Sequence, residues 1–158
     1  MFRPMRRFKQ QLSQEECISI LKSEVRGVLS VLGDDDYPYG IPINFYYSEE
    51  DGHIYFHGAG EGHKIDSIKK HDKVTFCVMD KGTPDVEGWF LHFRSVIVFG
   101  RIRIVADHAK AVDICRKLSY KFNFKPEFIE ETIKRSGPMV TCLELLPEHI
   151  TGKAVKEK

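Results

Sequence analysis

Apolar and polar side chains alternate over several short segments of the chain, and this pattern predicts a mainly β structure. In residues 73–79 the large apolar side chains stand at every second position, as in a strand with one buried face. The same pattern predicts strands over residues 25–32, 39–47, 53–57, 73–79, 90–105 and 139–146. Pro42 lies inside the second of these. Because proline donates no ladder hydrogen bond, that stretch should be an edge, a bulge or a ligand-facing segment.

Helical signals occur in four places between the strands. Ser13 followed by Glu16 has the pattern of a capping box and starts a helix that should end near Glu24. The other three helices are predicted at about residues 63–71, after a cap at Asp107, and from Pro126 to near Gly137. Because the helices occur singly rather than between every pair of strands, we expect an antiparallel β-barrel with peripheral helices, not a doubly wound parallel sheet.

Composition and charge fit one globular domain. The chain has 158 residues, of which 42% are hydrophobic, and this length suffices for one core. We expect a single domain over residues 1–158, with an N-terminal arm at 1–10 and a C-terminal tail at 151–158. The formal net charge of +1 argues against a nucleic-acid or membrane partner. The basic residues at positions 3–9 form either a solvated arm or a contact for an anionic ligand.

Targeting signals and cysteine spacing indicate the compartment. The first ten residues contain no apolar core of a signal peptide, and no run of 18 apolar residues occurs, so we expect a cytoplasmic protein. The four cysteines form no CxxC pair and lie in apolar helix or strand positions. They are Cys17, Cys77, Cys115 and Cys142. This pattern predicts small buried hydrophobic residues in a reducing compartment, rather than disulfides or zinc ligands.

A glycine-rich segment after the third strand is the first candidate site. Gly58, Gly60 and Gly62 precede a helix that carries His63 and Lys64 in its first turn. Glycines let backbone amides approach a ligand closely, and the unpaired amides of a helix N-terminus favour an anion. A cation in the first turn opposes the helix dipole unless a phosphate binds there. The alternative interpretation is a flexible loop with a solvated lysine.

Two further segments and one histidine could contribute to a site. Residues 37–47 contain four tyrosines and a phenylalanine near two prolines, which suits a flat aromatic ligand but also an ordinary core strand. Ser95 interrupts an apolar strand. His57 ends a strand just before the glycines, as a structural or a site residue. The seven histidines show no HExxH spacing, and GxSxG and GxGxxG are absent, which argues against zinc hydrolases, serine esterases and Rossmann enzymes.

Five segments, taken in order, resemble the pyridoxamine 5'-phosphate oxidase-like split-barrel flavoproteins, in particular the branch that contains 5-nitroimidazole-resistance reductases. They are Met5-Arg6-Arg7; Tyr37-Pro38-Tyr39-Gly40-Ile41-Pro42-Ile43-Asn44; Ile54-Tyr55-Phe56-His57-Gly58-Ala59 with Gly62-His63-Lys64; Ser95-Val96-Ile97-Val98-Phe99-Gly100; and Glu148-His149-Ile150-Thr151-Gly152-Lys153. The resemblance covers nearly the whole chain.

The resemblance implies a homodimer with two flavin mononucleotide (FMN) sites at the subunit interface. It places the flavin ring against the strand that contains Ile41, Pro42, Ile43 and Asn44. It places the phosphate at the segment that carries His57, Gly58, Ala59, His63 and Lys64. It further assigns three residues to the lining of the site, Ser95, Val96 and Lys153. The oxidase proper has arginines near the positions of Gly40, Ile41 and His63 and an arginine-bearing C-terminal motif. Their absence argues against pyridoxamine phosphate as the substrate.

The resemblance therefore implies an FMN-dependent oxidoreductase that passes electrons from NAD(P)H to a small planar acceptor such as a nitroaromatic. His57 is the candidate for proton delivery, because an ordinary histidine titrates near working pH. One alternative is a non-catalytic flavin or haem carrier or sensor, with His57, His63 or His149 as a haem ligand. Another alternative is a β-barrel that stacks the bases of single-stranded nucleic acid on the aromatic residues of 37–47. The low net charge argues against this alternative.

Overall fold

The computed structural model describes residues 1–85, 87, 89, 91–122 and 124–155. In this part of the chain the strands are β1 (Arg26–Leu32), β2 (Pro38–Asn44), β3 (Tyr46–Tyr47), β4 (Ile54–Gly58), β5 (Lys73–Met79), β6 (Thr83–Pro84), β7 (Leu91–Ile104) and β8 (Thr141–Val155). The α-helices are α1 (Gln14–Ser23), α2 (His63–Lys70), α3 (His108–Tyr120) and α4 (Pro126–Ser136). The helices therefore lie at the four predicted places, each within about two residues of the predicted bounds.

The strands form one antiparallel sheet in the order β2-β1-β5-β7-β8-β4-β3, and β6 pairs with β7. Although β2 lies at one end of this order, some of its Cα atoms lie within 8 Å of those of β4, near the other end. The sheet is therefore curled into a split barrel with helices at its periphery, which confirms the predicted fold class. Pro42 lies on β2, which pairs only with β1 among the described strands, so its predicted edge position is also confirmed.

The barrel interior is filled by the inward-facing side of each strand. Phe76 lies at its centre, with the rings of Phe45 and Phe56 packed edge-on at centroid distances of 4.9 and 5.0 Å. All three rings are fully buried. Aromatic pairs in this geometry add to the free energy of burial, so this triplet is a major stabilising contact of the core.

Three helices start at the residues that the sequence predicts, and local interactions stabilise these starts. Ser13 Oγ accepts from the Glu16 amide at 3.2 Å, and Glu16 Oε2 accepts from the Ser13 amide at 2.8 Å. This is the predicted capping box. Asp107 Oδ1 likewise accepts from the Lys110 amide at 3.2 Å at the start of α3. Pro126 occupies the first turn of α4.

Residues 39–47, which the pattern predicts as one strand, form two strands in the structure, β2 and β3. The break falls at Phe45, whose side chain is fully buried among the core residues. β2 before the break pairs with β1, whereas β3 after it pairs with β4. The segment therefore crosses the open side of the barrel, and only contacts with residues far away in sequence reveal the crossing.

The last strand is longer than the predicted segment 139–146. It begins at Thr141 and runs to Val155, because residues 149–155 pair with the first half of β7. The register shifts between Phe99 and Gly100, opposite Pro147, where proline cannot donate a ladder hydrogen bond. Residues 151–155, predicted as a tail, thus belong to the sheet. The parts of the predictions that fall on Phe90 and on residues 156–158 lie outside the described residues.

Within the described residues, no helix combines the length and the apolar character that crossing a lipid bilayer requires.

Candidate functional site

The glycine-rich segment connects the end of β4 to the start of α2. Gly62 precedes the helix with φ +102°, a conformation that residues with a side chain rarely adopt. No atom lies within 4 Å of the position that a Cβ at Gly62 would occupy, so the backbone conformation alone favours glycine here. No side chain of the described residues caps the N-terminus of α2, and its free backbone amides suit an anion.

Lys64 is the charged group of this segment. Its ammonium lies against Gly58, where an added Cβ would be 3.0 Å from Lys64 Nζ. The side chain is half-buried, and burial lowers the pKa of Lys64. Within the described part of the chain no neighbouring carboxylate offsets this effect. A partly buried cation without a counter-charge next to a glycine is an arrangement that an anionic ligand would stabilise.

His57 lies at the end of β4, opposite Cys142 of β8 in the strand register. Its side chain is exposed on the outside of the barrel. Desolvation and the positive charge of Lys64 lower the pKa of His57, so the imidazole is neutral at pH 7. A neutral imidazole can accept a proton at one nitrogen and donate at the other.

His63 connects the start of α2 to the turn between β1 and β2. Its ring stacks on Tyr39 with a centroid distance of 4.3 Å and an interplanar angle of 13°. Its Nε2 accepts from the Asp34 amide at 3.4 Å. Tyr39 therefore serves as a support for His63, and this part of the residue 37–47 segment is a structural element of the same site.

The four predicted residues of β2 face two directions. Ile41 and Ile43 pack against the core, whereas Pro42 and Asn44 lie on the outer side of the sheet. Asn44 Oδ1 accepts from Arg26 Nε at 2.8 Å. A ligand along the outer face or the free edge of β2 would thus meet backbone groups, Pro42 and the Asn44–Arg26 pair.

Ser95 and Lys153 are direct neighbours in the register of β7 and β8, on the outer face of the sheet. Val96 points the other way and is fully buried in the core, so only its backbone can meet a ligand on that face.

Apart from the four residues of β2, the predicted residues form two groups at opposite ends of β8. Gly58 pairs with Thr141 at the start of this strand, whereas Ser95 pairs with Lys153 near its end. Positions 141 and 153 are twelve residues apart, and the register shift of β7 and β8 lies between them. The structure brings His57, Gly58, Ala59, His63 and Lys64 together. It does not bring Lys153 to them within one chain.

A buried ion cluster on the outside of the barrel gave no signal in the sequence. Glu144 is 3% exposed. Its carboxylate accepts from Arg103 Nε at 2.6 Å and Lys110 Nζ at 3.1 Å. It also lies 2.9 Å from His53 Nδ1 and 2.8 Å from the Tyr55 hydroxyl. Although burial opposes ionisation, these hydrogen bonds hold the pKa of Glu144 below its usual value. In sequence, Glu144 is one charged residue in a strand, and its partners are remote.

Three residues of this cluster, Asp51, His53 and Glu144, have ligand-type atoms within 4.8 Å of one another. Arg103 and Lys110 already provide two positive charges beside these two carboxylates. The group is therefore a charge-balanced network that joins β4, β7, β8 and α3, rather than a set of ligands that needs a cation.

The fold and the site define an antiparallel split-barrel protein with a cationic, glycine-lined corner. The family model of pyridoxamine 5'-phosphate oxidase matches residues 13–154, and the chain belongs to this family. No curated protein sequence matches the chain significantly.

Solved structures share the fold at low sequence identity. A candidate 5-nitroimidazole antibiotic resistance protein from Bacteroides thetaiotaomicron aligns with TM-score 0.76 and 16% identity, over 91% of this chain and 86% of that one. A conserved hypothetical protein from Mycobacterium tuberculosis aligns with TM-score 0.79 and 15% identity, over 95% and 90%. An FAD-binding protein from Mesorhizobium loti aligns with TM-score 0.64 and 23% identity, over 94% and 97%. The fold is thus shared with a flavin-binding protein.

Proposed function

We propose that this protein is an FMN-dependent oxidoreductase that transfers electrons from NAD(P)H to a small planar acceptor such as a nitroaromatic compound. The observation that carries the proposal is the half-buried Lys64 ammonium beside Gly58 at the start of α2, which has no carboxylate partner among the described residues. Family membership supports a flavin, and the described FAD-binding protein of the same fold supports it further.

The phosphate of FMN fits the β4–α2 corner. Lys64 Nζ would donate a charge-assisted hydrogen bond to it. The backbone amides of Gly58 and Ala59 and those at the N-terminus of α2 would provide further donors. His63 would act mainly through position, because its stack on Tyr39 fixes the first turn of α2. The charge and the donors of this corner therefore match a phosphate monoester better than a neutral ligand.

The flavin ring fits beside β2. This strand is an edge among the described residues, so one row of its backbone amides and carbonyls is not used in the sheet. These groups, from Ile41 to Asn44, would bond the polar rim of the ring. FMN is proposed rather than FAD because the split-barrel family that the five sequence segments resemble implies FMN.

A second copy of the chain would complete the site. Gly58, which Lys64 contacts, pairs with the start of β8, whereas Ser95 and Lys153 lie beside its end, so a partner copy is the proposed source of Ser95 and Lys153 at each site. The outer face of β7 also exposes two large apolar side chains, Ile97 at 38% and Phe99 at 36%. Burial of this face in a homodimer would remove apolar surface from water and bring Lys153 of one copy towards Lys64 of the other.

When bound, the flavin supplies the electron-transfer chemistry. The chain would orient the cofactor through Lys64 and β2, and the neutral His57 imidazole would hold or release a proton at the exposed mouth of the site. Haem is less well supported, because two of the candidate ligands are stacked on other rings: His63 on Tyr39 and His149 on Phe2. The four unbridged cysteines support a cytoplasmic location.

The experiment is a titration of the purified protein with FMN, FAD and haem, followed by anaerobic addition of NADH or NADPH. We expect FMN to bind and its absorption to bleach when a nicotinamide is added, and a nitroaromatic to restore the absorption. Binding of FMN without reduction by either nicotinamide would support a carrier or sensor instead. Failure to bind any flavin would refute the proposal.

A further inference from the structure

Two cysteines that are 27 residues apart in sequence lie in contact in the structure. Cys115 on α3 and Cys142 on β8 have their Sγ atoms 3.6 Å apart. All four cysteines are free, and Cys17 and Cys142 are buried as the sequence predicts, whereas Cys77 and Cys115 are only partly buried. The spacing of the cysteines in the sequence gives no sign of this contact. The contact depends on how α3 packs across β8.

The two thiols differ in access. Cys142 is fully buried, and its Sγ lies 3.3 Å from the Ala111 carbonyl oxygen. Cys115 is only partly buried and lines a cavity of about 120 Å³ between α3 and α4. Ser119, Thr132 and Ser136 contribute to the cavity wall. The rest of the wall is mainly apolar, with Val112, Ile133 and Val140 beside Cys115, and a small reagent in this cavity would reach Cys115 before the buried Cys142.

We propose that Cys115 and Cys142 form a redox-active dithiol that hydroperoxides oxidise to a disulfide joining α3 to β8. A disulfide has an S–S length of about 2.05 Å, so the two sulfurs must approach by ~1.5 Å to bond. The cavity admits the oxidant on the side of Cys115, and Cys142 lies behind it as the second thiol.

The reaction balances with one hydroperoxide per disulfide. The Cys115 thiolate attacks a peroxide oxygen, the O–O bond breaks, and the leaving alkoxide or hydroxide takes a proton to become alcohol or water. Cys142 sulfur then attacks Cys115 sulfur, the S–O bond of the sulfenic acid breaks, and the released hydroxide takes the Cys142 proton as water. Two thiols lose two electrons in total, and the peroxide gains them.

The acidities of the two thiols agree with these roles. Hydrogen bonding between the two sulfurs lowers the pKa of Cys115, because it stabilises the thiolate there. The same contact raises the pKa of Cys142, and burial raises it further. Cys115 is therefore the thiol that ionises first, and the thiolate is the form that reacts with peroxides.

The test uses the full chain treated with one equivalent of hydrogen peroxide, then unfolded, alkylated and mapped by mass spectrometry. We expect loss of two of the four alkylatable thiols, a peptide that links positions 115 and 142, and recovery of all four thiols after reduction. Cys17 and Cys77 are internal controls, and both should remain alkylated. Alkylation at all four positions would overturn the proposal, as would overoxidation of Cys115 without a linked peptide.

Matched variants separate this pair from the other thiols. Cys77→Ser changes a half-buried residue on the outer face of β5 and should leave the linked peptide unchanged. Cys115→Ser should abolish it and leave Cys142 reduced. If Cys142→Ser does not fold, Cys115→Ser alone decides, because oxidation of Cys142 in that variant would contradict the assigned order of attack.

Discussion

Lys64 Nζ lies so close to Gly58 that a Cβ atom at the glycine would be 3.0 Å from it. This contact joins the last residue of β4 to the first turn of α2, and it directs the ammonium towards the glycine-lined corner rather than into bulk water. The position of the Lys64 ammonium thus depends on the absence of a side chain at Gly58, six residues earlier.

Lys64→Ala should weaken FMN binding by about 1.5–3 kcal/mol, because it removes a hydrogen bond to a charged phosphate. This corresponds to a Kd raised about 10- to 150-fold, measurable by flavin fluorescence. Lys69→Ala, on the exposed side of the same helix, is the matched control and should leave the Kd unchanged. An unchanged Kd for Lys64→Ala would remove this lysine from the site.

Mixing two variants that each bind FMN weakly tests whether each FMN site uses residues of both subunits. If Lys64 and Lys153 meet the same FMN from different chains, a heterodimer of Lys64→Ala and Lys153→Ala contains one intact site. We expect refolding of the mixture to restore tight FMN binding at up to one site per heterodimer. If both lysines came from one chain, every site in the heterodimer would lack one of them, and mixing would restore nothing.

Glu144→Gln should lower the free energy of unfolding by about 1.5–3 kcal/mol, the range for hydrogen bonds to a charged group. The variant leaves Arg103 and Lys110 without the charge that they share in the folded state. Denaturant unfolding at pH 7 measures the effect. Glu148→Gln, which removes an exposed partner of Arg101, is the control and should cost less.

The Glu144 carboxylate also predicts how the stability of the protein changes in acid. Because the pKa of folded Glu144 lies below its unfolded value, its contribution to stability is present above about pH 4.5 and is lost as the pH falls through the folded pKa. The difference between the wild type and Glu144→Gln should therefore shrink between pH 4.5 and lower pH. A constant difference over that range would contradict the assigned ionisation.

Lys121 predicts a second pH dependence, in the alkaline range. Its ammonium donates to the carbonyls of Leu21 and Phe45, both at 3.3 Å, and lies 4.0 Å from the centre of the Phe45 ring. Burial lowers the pKa of Lys121 to about 8. The folded state therefore binds fewer protons than the unfolded state between about pH 8 and pH 10.4.

The stability of the wild type relative to Lys121→Met should therefore increase over that interval. Unfolding in denaturant at pH 7, 8.5 and 10 measures it, and the comparison cancels the titration of groups common to both proteins. A difference that falls as the pH rises would show that the folded protein favours the charged amine.

Much of the fold could be predicted from local patterns. The capping box of Ser13 and Glu16, the cap at Asp107 and the alternating strand at residues 73–79 all depend on neighbours within a few positions. Short-range hydrogen bonds and the two-residue period of a strand are properties of the chain itself, so these elements lie where the sequence places them. The glycine segment and Lys64 were likewise visible as a candidate site.

Other features depend on partners that are remote in sequence, and they follow from the folded structure. Phe45 interrupts a predicted strand because Phe76 and the core attract its ring. β8 continues past Pro147 because β7 provides its ladder. The contact of Cys115 with Cys142 and the separation of Lys64 from Lys153 follow from the pairing and packing of β8. Local patterns in the sequence therefore predict most of the elements and the candidate chemistry. Which side chains meet was decided by long-range pairing, whose free energy depends on contacts that local periodicity does not contain.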